Sequence, residues 1–393
     1  MRSIILQSPL ENTPLLIDVA DLQQYLEKVP DRRHARGKIY PLSMVLTLIL
    51  LAKLAGEDKP TGIASWIQER REELLACFDV VHERLPCLNT IRNILSEAID
   101  LDELERLLRT YLHERYGGQQ SQLVAFDGKT ARGTIPKGMT QGVHFLAVYL
   151  PEEGVTLKQI MVEDKANEIT VAPELLAAVP LKNRVVCGDA MHTQRDLSVQ
   201  IMAQGGDYLW VAKGNQPTLR ADIERFFQPA EHAPGWHIPP LPSTVATTVD
   251  KGHGRLETRR LTLMVDEQHF LDWPGVQQIF KLERIVTTLK GEPLRSEVVY
   301  GLTSCSPSQA NAQQLLTWVR QYWGIENGLH YRRDVTLHED ATRFTNDNMT
   351  RAISILNNFI IGLAQKLGIS NLALARRMFD ASIARQLVYF ADF

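Results

Sequence analysis

The pattern of apolar and polar positions divides the chain into helical ends and a strand-rich middle. Between about residues 15 and 116, apolar residues recur at helical intervals in five successive segments, which is typical of amphipathic helices. After Gly117 and Gly118 the pattern changes to short runs of alternating or β-branched apolar residues, of which 144–150 (HFLAVYL) is one. The change predicts a helical N-terminal domain over residues 1–118, followed by a domain built on a sheet.

Strands and helices follow a definite order in the middle of the chain. Three strands in succession lead into a β-α-β-α-β alternation, with a fourth strand at RVVCGDA (184–190) and a fifth at DYLWVAK (207–213). This is the order of an RNase H-like fold, in which the first and fourth strands lie side by side. We therefore predict an α/β fold whose RNase H-like catalytic core begins over residues 119–213.

The alternation stops after residue 213. A proline-rich linker leads into further strands rich in β-branched residues, so we predict a β-rich insertion subdomain over residues 214–304. Helical spacing returns over residues 305–393, which are predicted to contain a helix that carries Glu326 and the C-terminal helices.

Acids, bases and aromatic residues are concentrated at residues 319–343. Apolar positions recur there at helical intervals without an intervening proline, so Glu326 is predicted to lie on a helix despite two nearby glycines. On an α-helix, Tyr322, His330 and Arg333 share the side of Glu326. A solvated face with intrahelical ion pairs is the simpler interpretation of this stretch taken alone.

Three carboxylates are expected to meet at one site. The strand order brings Asp127 beside Asp189, and the helix supplies Glu326. Clustered carboxylates repel one another unless cations neutralise them, and their oxygens suit Mg²⁺ or Mn²⁺, so the cluster indicates a site for two divalent ions. Each acid also has a simpler interpretation: Asp127 and Asp189 as caps of a turn and a helix, and Glu326 as the partner of His330 or Arg333.

Composition limits the classes of function. A chain of 393 residues with 44% hydrophobic and 23% charged residues is typical of soluble globular proteins, and the apolar run at 42–52 is too short to span a bilayer. The net charge of −3 means that any binding to nucleic acid must depend on local basic patches. The four cysteines form no CxxC pair, which favours a reducing, cytoplasmic location over a disulfide framework or a zinc ribbon.

Six motifs make the chain resemble bacterial insertion-sequence transposases of the DDE type, specifically the ISAs and H-repeat-associated group. The motifs are AFDGKTARGT, EDKANEIT, VVCGDAMHTQ, DYLWVAKGNQ, HGRLETRR and YWGIENGLHYRRDVTLHED, and the last is the most specific. The match runs nearly from end to end. The resemblance implies a bacterial protein, associated with the nucleoid when it is bound to DNA.

The resemblance also implies a reaction and a site. Asp127, Asp189 and Glu326 would be the DDE triad of a transposase that binds the ends of an insertion sequence, hydrolyses them with two Mg²⁺ or Mn²⁺ ions, and joins the 3′-OH ends to target DNA. The N-terminal helices would be the associated DNA-binding domain, and the protein would act as a homodimer or a higher synaptic assembly. Three alternatives remain open: an RNase H-like nuclease without strand transfer, a domesticated non-catalytic DNA-binding regulator, and a phosphohydrolase of small substrates.

One departure from the pattern of related transposases concerns the helix of Glu326. Related proteins carry a Tyr, Arg, Glu, Lys signature there, whereas Tyr322 stands at the Arg position of this chain and Arg333 at the Lys position. Arg320 is expected to replace the missing arginine. Trp323 suits either stacking on an unpaired base or core packing, and we expect core packing.

Basic and amide side chains that could contact DNA fall into three groups. The N-terminal loop contributes Arg32, Arg33, Arg36 and Lys38, and the insertion contributes Lys251, Arg255, Arg259 and Arg260. Residues expected near the scissile phosphate are Lys129, Lys213, Asn215, Gln216, Arg320, His330 and Arg333. The simpler interpretation of each group is a solvated or capping role, and a DNA-backbone contact is the functional one.

Overall fold

Helices form the N-terminal part of the chain, as the spacing of its apolar residues predicts. The computed structural model describes residues 5–7, 16–78, 80, 83–118, 121–163, 167–228, 241–252, 254–267 and 269–391. After the antiparallel strands β1 (Ile5–Gln7) and β2 (Leu16–Asp18) come α1 (Val19–Leu26), α2 (Leu42–Leu54), α3 (Pro60–Glu69), α4 (Arg71–Cys77), α5 (Leu88–Asn93) and α6 (Leu101–Tyr116). A π-helical turn, Ile94–Ala98, extends α5.

Helix α2 is the most apolar helix of this part, and all of its residues are buried. Residues 35–54, which contain it, are long and apolar enough to cross a membrane by length and composition. In the folded chain the other helices enclose α2, which belongs to a large apolar cluster. The run therefore serves as a core helix of the protein.

A mixed sheet of nine strands occupies the middle of the molecule. Its strands are β3 (Leu123–Thr130), β4 (His144–Leu150), β5 (Val155–Val162), β6 (Val185–Gly188), β7 (Asp207–Ala212), β8 (Ser243–Gly252), β9 (Arg255–Val265), β10 (Gln278–Thr288) and β11 (Pro293–Thr303). They lie in the order β5-β4-β3-β6-β7-β11-β10-β9-β8. The β3–β6 and β6–β7 pairs are parallel, and all the other pairs are antiparallel.

The prediction that the first and fourth core strands are adjacent is confirmed. Strands β3 and β6 are paired in parallel from Leu123↔Val185 to Phe126↔Gly188. The helices between the core strands are α7 (Glu168–Ala177) and α8 (Arg195–Ala203), and α9 (Pro217–Phe226) follows β7. Because successive side chains of a strand point to opposite faces, Phe126 packs with these helices while Leu123 packs against the other face.

The strands of the insertion continue the core sheet instead of forming a sheet of their own. Strand β11 is bonded to β7 from Tyr300↔Ala212 to Thr303↔Leu209, and β10, β9 and β8 follow outward to the far edge. Most of the proline-rich linker predicted before these strands, residues 229–240, lies outside the described residues. The insertion therefore lengthens one side of the sheet beside the predicted site.

The C-terminal helices return to the N-terminal ones. After α10 (Ala312–Tyr322) come π-helical turns at Ile325–His330 and Arg332–Thr336, and then α11 (Asp347–Lys366) and α12 (Leu372–Ala391). The buried apolar residues of α11 join those of α2 and α6 in one cluster, so the two ends of the chain share a core.

Candidate active site

Two of the three predicted acids lie at the same edge of the sheet. Asp127 lies in the second half of β3, opposite Ala147 of β4 and one residue beyond the pairing with β6, and Asp189 directly follows β6. Parallel pairing of β3 with β6 brings the two positions together, as the sequence predicts. Asp189 also has the capping role considered for it, since its carboxylate accepts a hydrogen bond from the Ala190 amide at 2.7 Å and begins a short 3₁₀ turn.

Glu326 reaches the same edge of the sheet from the segment that follows α10, which has the wider turns of a π-helix. Helix α10 ends at Tyr322, and Glu326 lies in the π-helical segment that follows. Side-chain ligand atoms of Asp127, Glu326 and His330 all lie within 4.8 Å of one another. Nδ1 of His330 is 3.7 Å from Oδ2 of Asp127 and 3.8 Å from Oε2 of Glu326, so the imidazole lies beside both carboxylates.

A cavity of about 470 Å³ adjoins these groups, and Asp189 lines it. The three acids line it together with Tyr322 and Trp323. Two carboxylates and an imidazole within reach of one another, with a third carboxylate in the same cavity, are a donor set that suits a divalent cation.

The electrostatics of the three neighbouring groups differ. Burial, reinforced by the negative charge of Glu326, raises the pKa of Asp127 to about 7. The adjacent imidazole of His330 lowers the pKa of Glu326, and burial lowers the pKa of His330. Two acids therefore share a site in which only Glu326 readily carries its charge, and a bound cation would favour the ionised form of Asp127.

Arg333 does not belong to the cavity, which corrects the predicted phosphate contact. Its side chain has no exposed surface and forms a two-point ion pair with Glu339, with nitrogen to oxygen distances of 2.5 and 2.9 Å. The α-helical spacing assumed for Glu326 and Arg333 fails because each residue of a π-helix turns through a smaller angle. Seven residues beyond Glu326, the side chain consequently faces the interior.

Lys129 is also directed away from solvent, contrary to the predicted phosphate contact. Its ammonium group lies 2.5 Å from Asp334 and 3.6 Å from Asp340, and its side chain is only 6% exposed. A charge held by two carboxylates in the interior is poorly placed to meet DNA. Lys129 instead joins β3 to the segment that follows Glu326.

Asn215 and Gln216 hold the turn that begins at Asp189 by donating hydrogen bonds to its backbone. The Asn215 amide donates to the carbonyl of Ala190 at 2.6 Å, and the Gln216 amide donates to the carbonyl of Thr193 at 3.0 Å. These bonds give the two residues a supporting role, while Asn215 remains exposed and the predicted contact of both amides with phosphate stays a prediction.

Four cationic side chains do line the cavity. Lys213 and Arg320 are half exposed, and they lie 3.6 Å from Asp189 and 2.8 Å from Asp250, respectively. Arg259 and Arg284 project from β9 and β10 on the same face of the sheet and are partly neutralised by Glu257. Sequence reasoning missed Arg284, although its pairing opposite Arg259 follows from the strand register.

The other predicted basic residues are distributed unevenly. Arg260 is exposed, but strand alternation places it on the face opposite Arg259, while Lys251 and Arg255 are exposed beside the β8–β9 turn. In the N-terminal loop, Arg32, Arg36 and Lys38 are exposed. Arg33 is largely enclosed and paired with Asp31 at 2.8 Å, so it is a poor candidate for contact with DNA.

Trp323 is 56% exposed at the wall of the cavity, so the prediction that it packs in the core is wrong. Tyr322, whose ring meets the indole edge-on at 6.4 Å, takes the inward position at the end of α10. The chain leaves α-helical geometry directly after this residue, which explains why simple periodicity misplaced its neighbour.

Comparison with known proteins places most of the chain in one family. The family model described as "Transposase DDE domain" matches residues 118–362, and the model described as "DDE_Tnp_1-associated" matches residues 23–112. "Putative transposase YncI" of Escherichia coli O157:H7 is 30% identical over 358 residues, which is 88% of each chain. "H repeat-associated putative transposase YhhI" of Escherichia coli K12 is 26% identical over 94% of this chain and 97% of that protein.

Among solved structures, a piggyBac transposase synaptic complex with hairpin DNA covers 93% of this chain and 86% of its own, with 10% identity and a TM-score of 0.41, which is too low to define a shared fold. The family models and the bacterial relatives are decisive without it: this chain belongs to the family of insertion-sequence transposases with a DDE domain.

Proposed function

We propose that this protein hydrolyses the DNA strands at the ends of an insertion sequence and then joins the freed 3′-OH groups to target DNA. Asp127, Asp189 and Glu326 are its catalytic carboxylates, carried by an RNase H-like core. The observation that carries the proposal is the approach of Glu326 to Asp127 within 4.8 Å, in a cavity that Asp189 also lines.

The residues fit a pair of hard divalent cations, Mg²⁺ or Mn²⁺. Asp127 and Glu326 supply adjacent oxygens, and Asp189 supplies a third carboxylate, half exposed, in the same cavity. Such ions activate the attacking oxygen and stabilise the leaving oxygen of an in-line displacement at phosphorus. Nδ1 of His330 faces both Asp127 and Glu326, so the ring can also serve as a ligand.

The chain itself orients the DNA. Lys213 and Arg320, both half exposed at the cavity, would bind phosphates that flank the scissile bond. Arg259 and Arg284 would extend this surface along the sheet as far as their acidic partners allow. Trp323, exposed at the same wall, would exclude water from one side of the reacting strand.

The N-terminal helices would contact the duplex away from the scissile bond, through Arg32, Arg36 and Lys38. Since each neutralised phosphate releases about one counterion, changing Arg32 and Arg36 to alanine should flatten the plot of log affinity against log salt by about two units. Arg33→Ala is the matched control because that side chain is enclosed and paired, and it should leave the slope unchanged.

Strand transfer distinguishes the proposal from a nuclease that only cuts. Linear DNA that carries the terminal repeat flanking the gene, already cut to a free 3′-OH, should be joined to a target plasmid in Mg²⁺ without further hydrolysis. Joining requires two ends to be held together, so the joined product should come from a dimer or a larger assembly in sedimentation measurements. Efficient nicking without joined product would assign the protein to the nucleases, and failure to cut at all would favour a non-catalytic regulator.

A further inference from the structure

Glu168 lies partly buried between two histidines and beside the backbone of Gly128, the residue after Asp127. It lies in the first turn of α7, which Asn167 caps. Nε2 of His144 lies 2.9 Å from one carboxylate oxygen, and Nε2 of His192 lies 3.1 Å from the other, so each imidazole can donate to it. The described residues offer no metal site at this group, which consists of one acid hydrogen-bonded to two bases.

One side of this group is tied to the strand of Asp127. His144 lies on β4, and its Nδ1 is 2.8 Å from the hydroxyl of Thr130 on β3. The carboxylate also lies directly on the backbone of Gly128, where a Cβ atom would come 2.2 Å from its oxygen. A side chain at position 128 would have to displace the carboxylate from its two histidines, so the residue after Asp127 and the carboxylate of Glu168 fit each other.

The other side is tied to the turn of Asp189. His192 closes that turn, and its amide donates to the carbonyl of Asp189 at 2.9 Å. The imidazole is fully buried and packs on Phe126 of β3, with 4.3 Å between ring centroids. Its Nδ1 lacks a partner among the described residues, so the bond to Glu168 is what fixes the ring orientation.

Both hydrogen bonds reach an ionised carboxylate. Burial alone would raise the pKa of Glu168, but the hydrogen bonds from His144 and His192 outweigh it and lower the pKa to about 2. Hydrogen bonds to a charged acceptor are stronger than neutral ones. The link between the two strands is therefore maintained throughout the ordinary range of pH.

We propose that Glu168 is a positioning residue that sets the spacing of Asp127 and Asp189, by joining the β3 backbone to the Asp189 turn through His144 and His192. The inference rests on the proposed function, since this spacing matters when the two carboxylates hold cations together. Residues that orient metal ligands commonly change metal affinity by about 10- to 100-fold when they are replaced.

The test compares Glu168→Gln with Glu163→Gln, an exposed acid five positions earlier in the chain. Mn²⁺ binding to the full chain without DNA is measured by calorimetry, and the Mg²⁺ concentration for half-maximal cleavage is measured separately. In Glu168→Gln, Mn²⁺ should bind about 10-fold or more weakly, the Mg²⁺ requirement should rise by the same factor, and the rate at saturating Mg²⁺ should recover most of the wild-type value. Glu163→Gln should match the wild type in both measurements.

Three results would separate the possibilities. Unchanged Mn²⁺ affinity in a folded Glu168→Gln protein, even with lowered thermal stability, would make the residue purely structural and overturn the inference. Absence of Mn²⁺ binding by the wild type would overturn the proposed function itself. If Glu168→Gln does not fold, His144→Leu removes the hydrogen bond on the more exposed side, and an unchanged Mn²⁺ affinity there would equally overturn the inference.

Discussion

The two sides of the site hold their carboxylates by different means. Asp127 lies on β3 and Asp189 directly follows its parallel neighbour β6, where the sheet, the Glu168 group and the amides of Asn215 and Gln216 fix the backbone. Glu326 lies on π-helical turns, and its side chain is 55% exposed. The strand side of the site, which carries Asp127 and Asp189, is thus fixed before any ligand arrives. The helical side, which carries Glu326, can adjust to a ligand.

Replacing the acids tests whether the two sides act as one site. Asp127→Asn, Asp189→Asn and Glu326→Gln should each lower strand cleavage in Mg²⁺ by three or more powers of ten, about 4 kcal/mol of barrier, because each removes a ligand charge. Cleavage of a labelled end by each purified variant measures this. Asp222→Asn, an exposed change on α9, is the control.

A variant that kept near wild-type cleavage would be removed from the catalytic set. If that variant were Glu326→Gln alone, the two strand acids would form the whole site, and the helical side would serve only to bind DNA.

Arg333 and Arg320 test what supports the helical side. Arg333→Met leaves the carboxylate of Glu339 buried without its partner and should lower the free energy of unfolding by about 3 to 5 kcal/mol. Arg320→Met changes an exposed pair and should stay within about 0.5 kcal/mol. Urea unfolding of both variants measures the difference, and equal stabilities would show that the buried pair does not hold these turns.

Glu168 gives the strand side a defined pH dependence. A carboxylate whose pKa falls from 4.5 to about 2 on folding contributes stability above pH 4.5, and this contribution is lost as the pH falls towards 2. The free energy of unfolding of the wild type should therefore exceed that of Glu168→Gln by about 2 kcal/mol at pH 6, and the gap should shrink below pH 4.5. Denaturant titrations at several pH values measure the gap, and a constant gap would contradict the ionised link.

The smallest expected effect is a change in the free energy of unfolding of the metal-free protein at pH 8. Replacing Asp127 and replacing Glu326 should change it in opposite directions. Asp127→Asn removes a buried charge whose pKa is raised to about 7, so it should stabilise the fold by about 1 kcal/mol or more. Glu326→Gln loses the interaction with His330 that lowers the glutamate pKa, and it should destabilise the fold by less than about 1 kcal/mol because the side chain is half exposed. Calorimetry in the presence of a chelator measures the change in stability of each variant, and changes in the same direction would contradict the prediction.

The strand side was largely predictable from the sequence. The order of strands and crossovers predicts that β3 and β6 are neighbours, and that adjacency is enough to bring Asp127 and Asp189 together. The order of the strands does not show which other residues hold these two acids in place. Glu168, on α7, lies forty residues after Gly128, the β3 residue that it contacts. Only the fold shows that the glycine leaves room for it.

The helical side was predicted only in outline. Apolar spacing indicated a helix at Glu326, but it does not distinguish an α-helix from π-helical turns, so Trp323 and Arg333 were assigned to the wrong sides. Charge is equally ambiguous in sequence, because Lys129 and Arg333 read like DNA-binding residues, and only their carboxylate partners reveal an interior role.

The core shared by the two ends of the chain has a consequence for synthesis. Helix α6 packs against α11, which begins at Asp347, some 230 residues after α6 ends, and α2 packs against the still later α12. At about 5 to 20 residues per second, a ribosome needs roughly 12 to 50 seconds to make that stretch. During this time part of the apolar surface of the first helices stays uncovered, so the nascent chain is a substrate for chaperones until its last helices emerge.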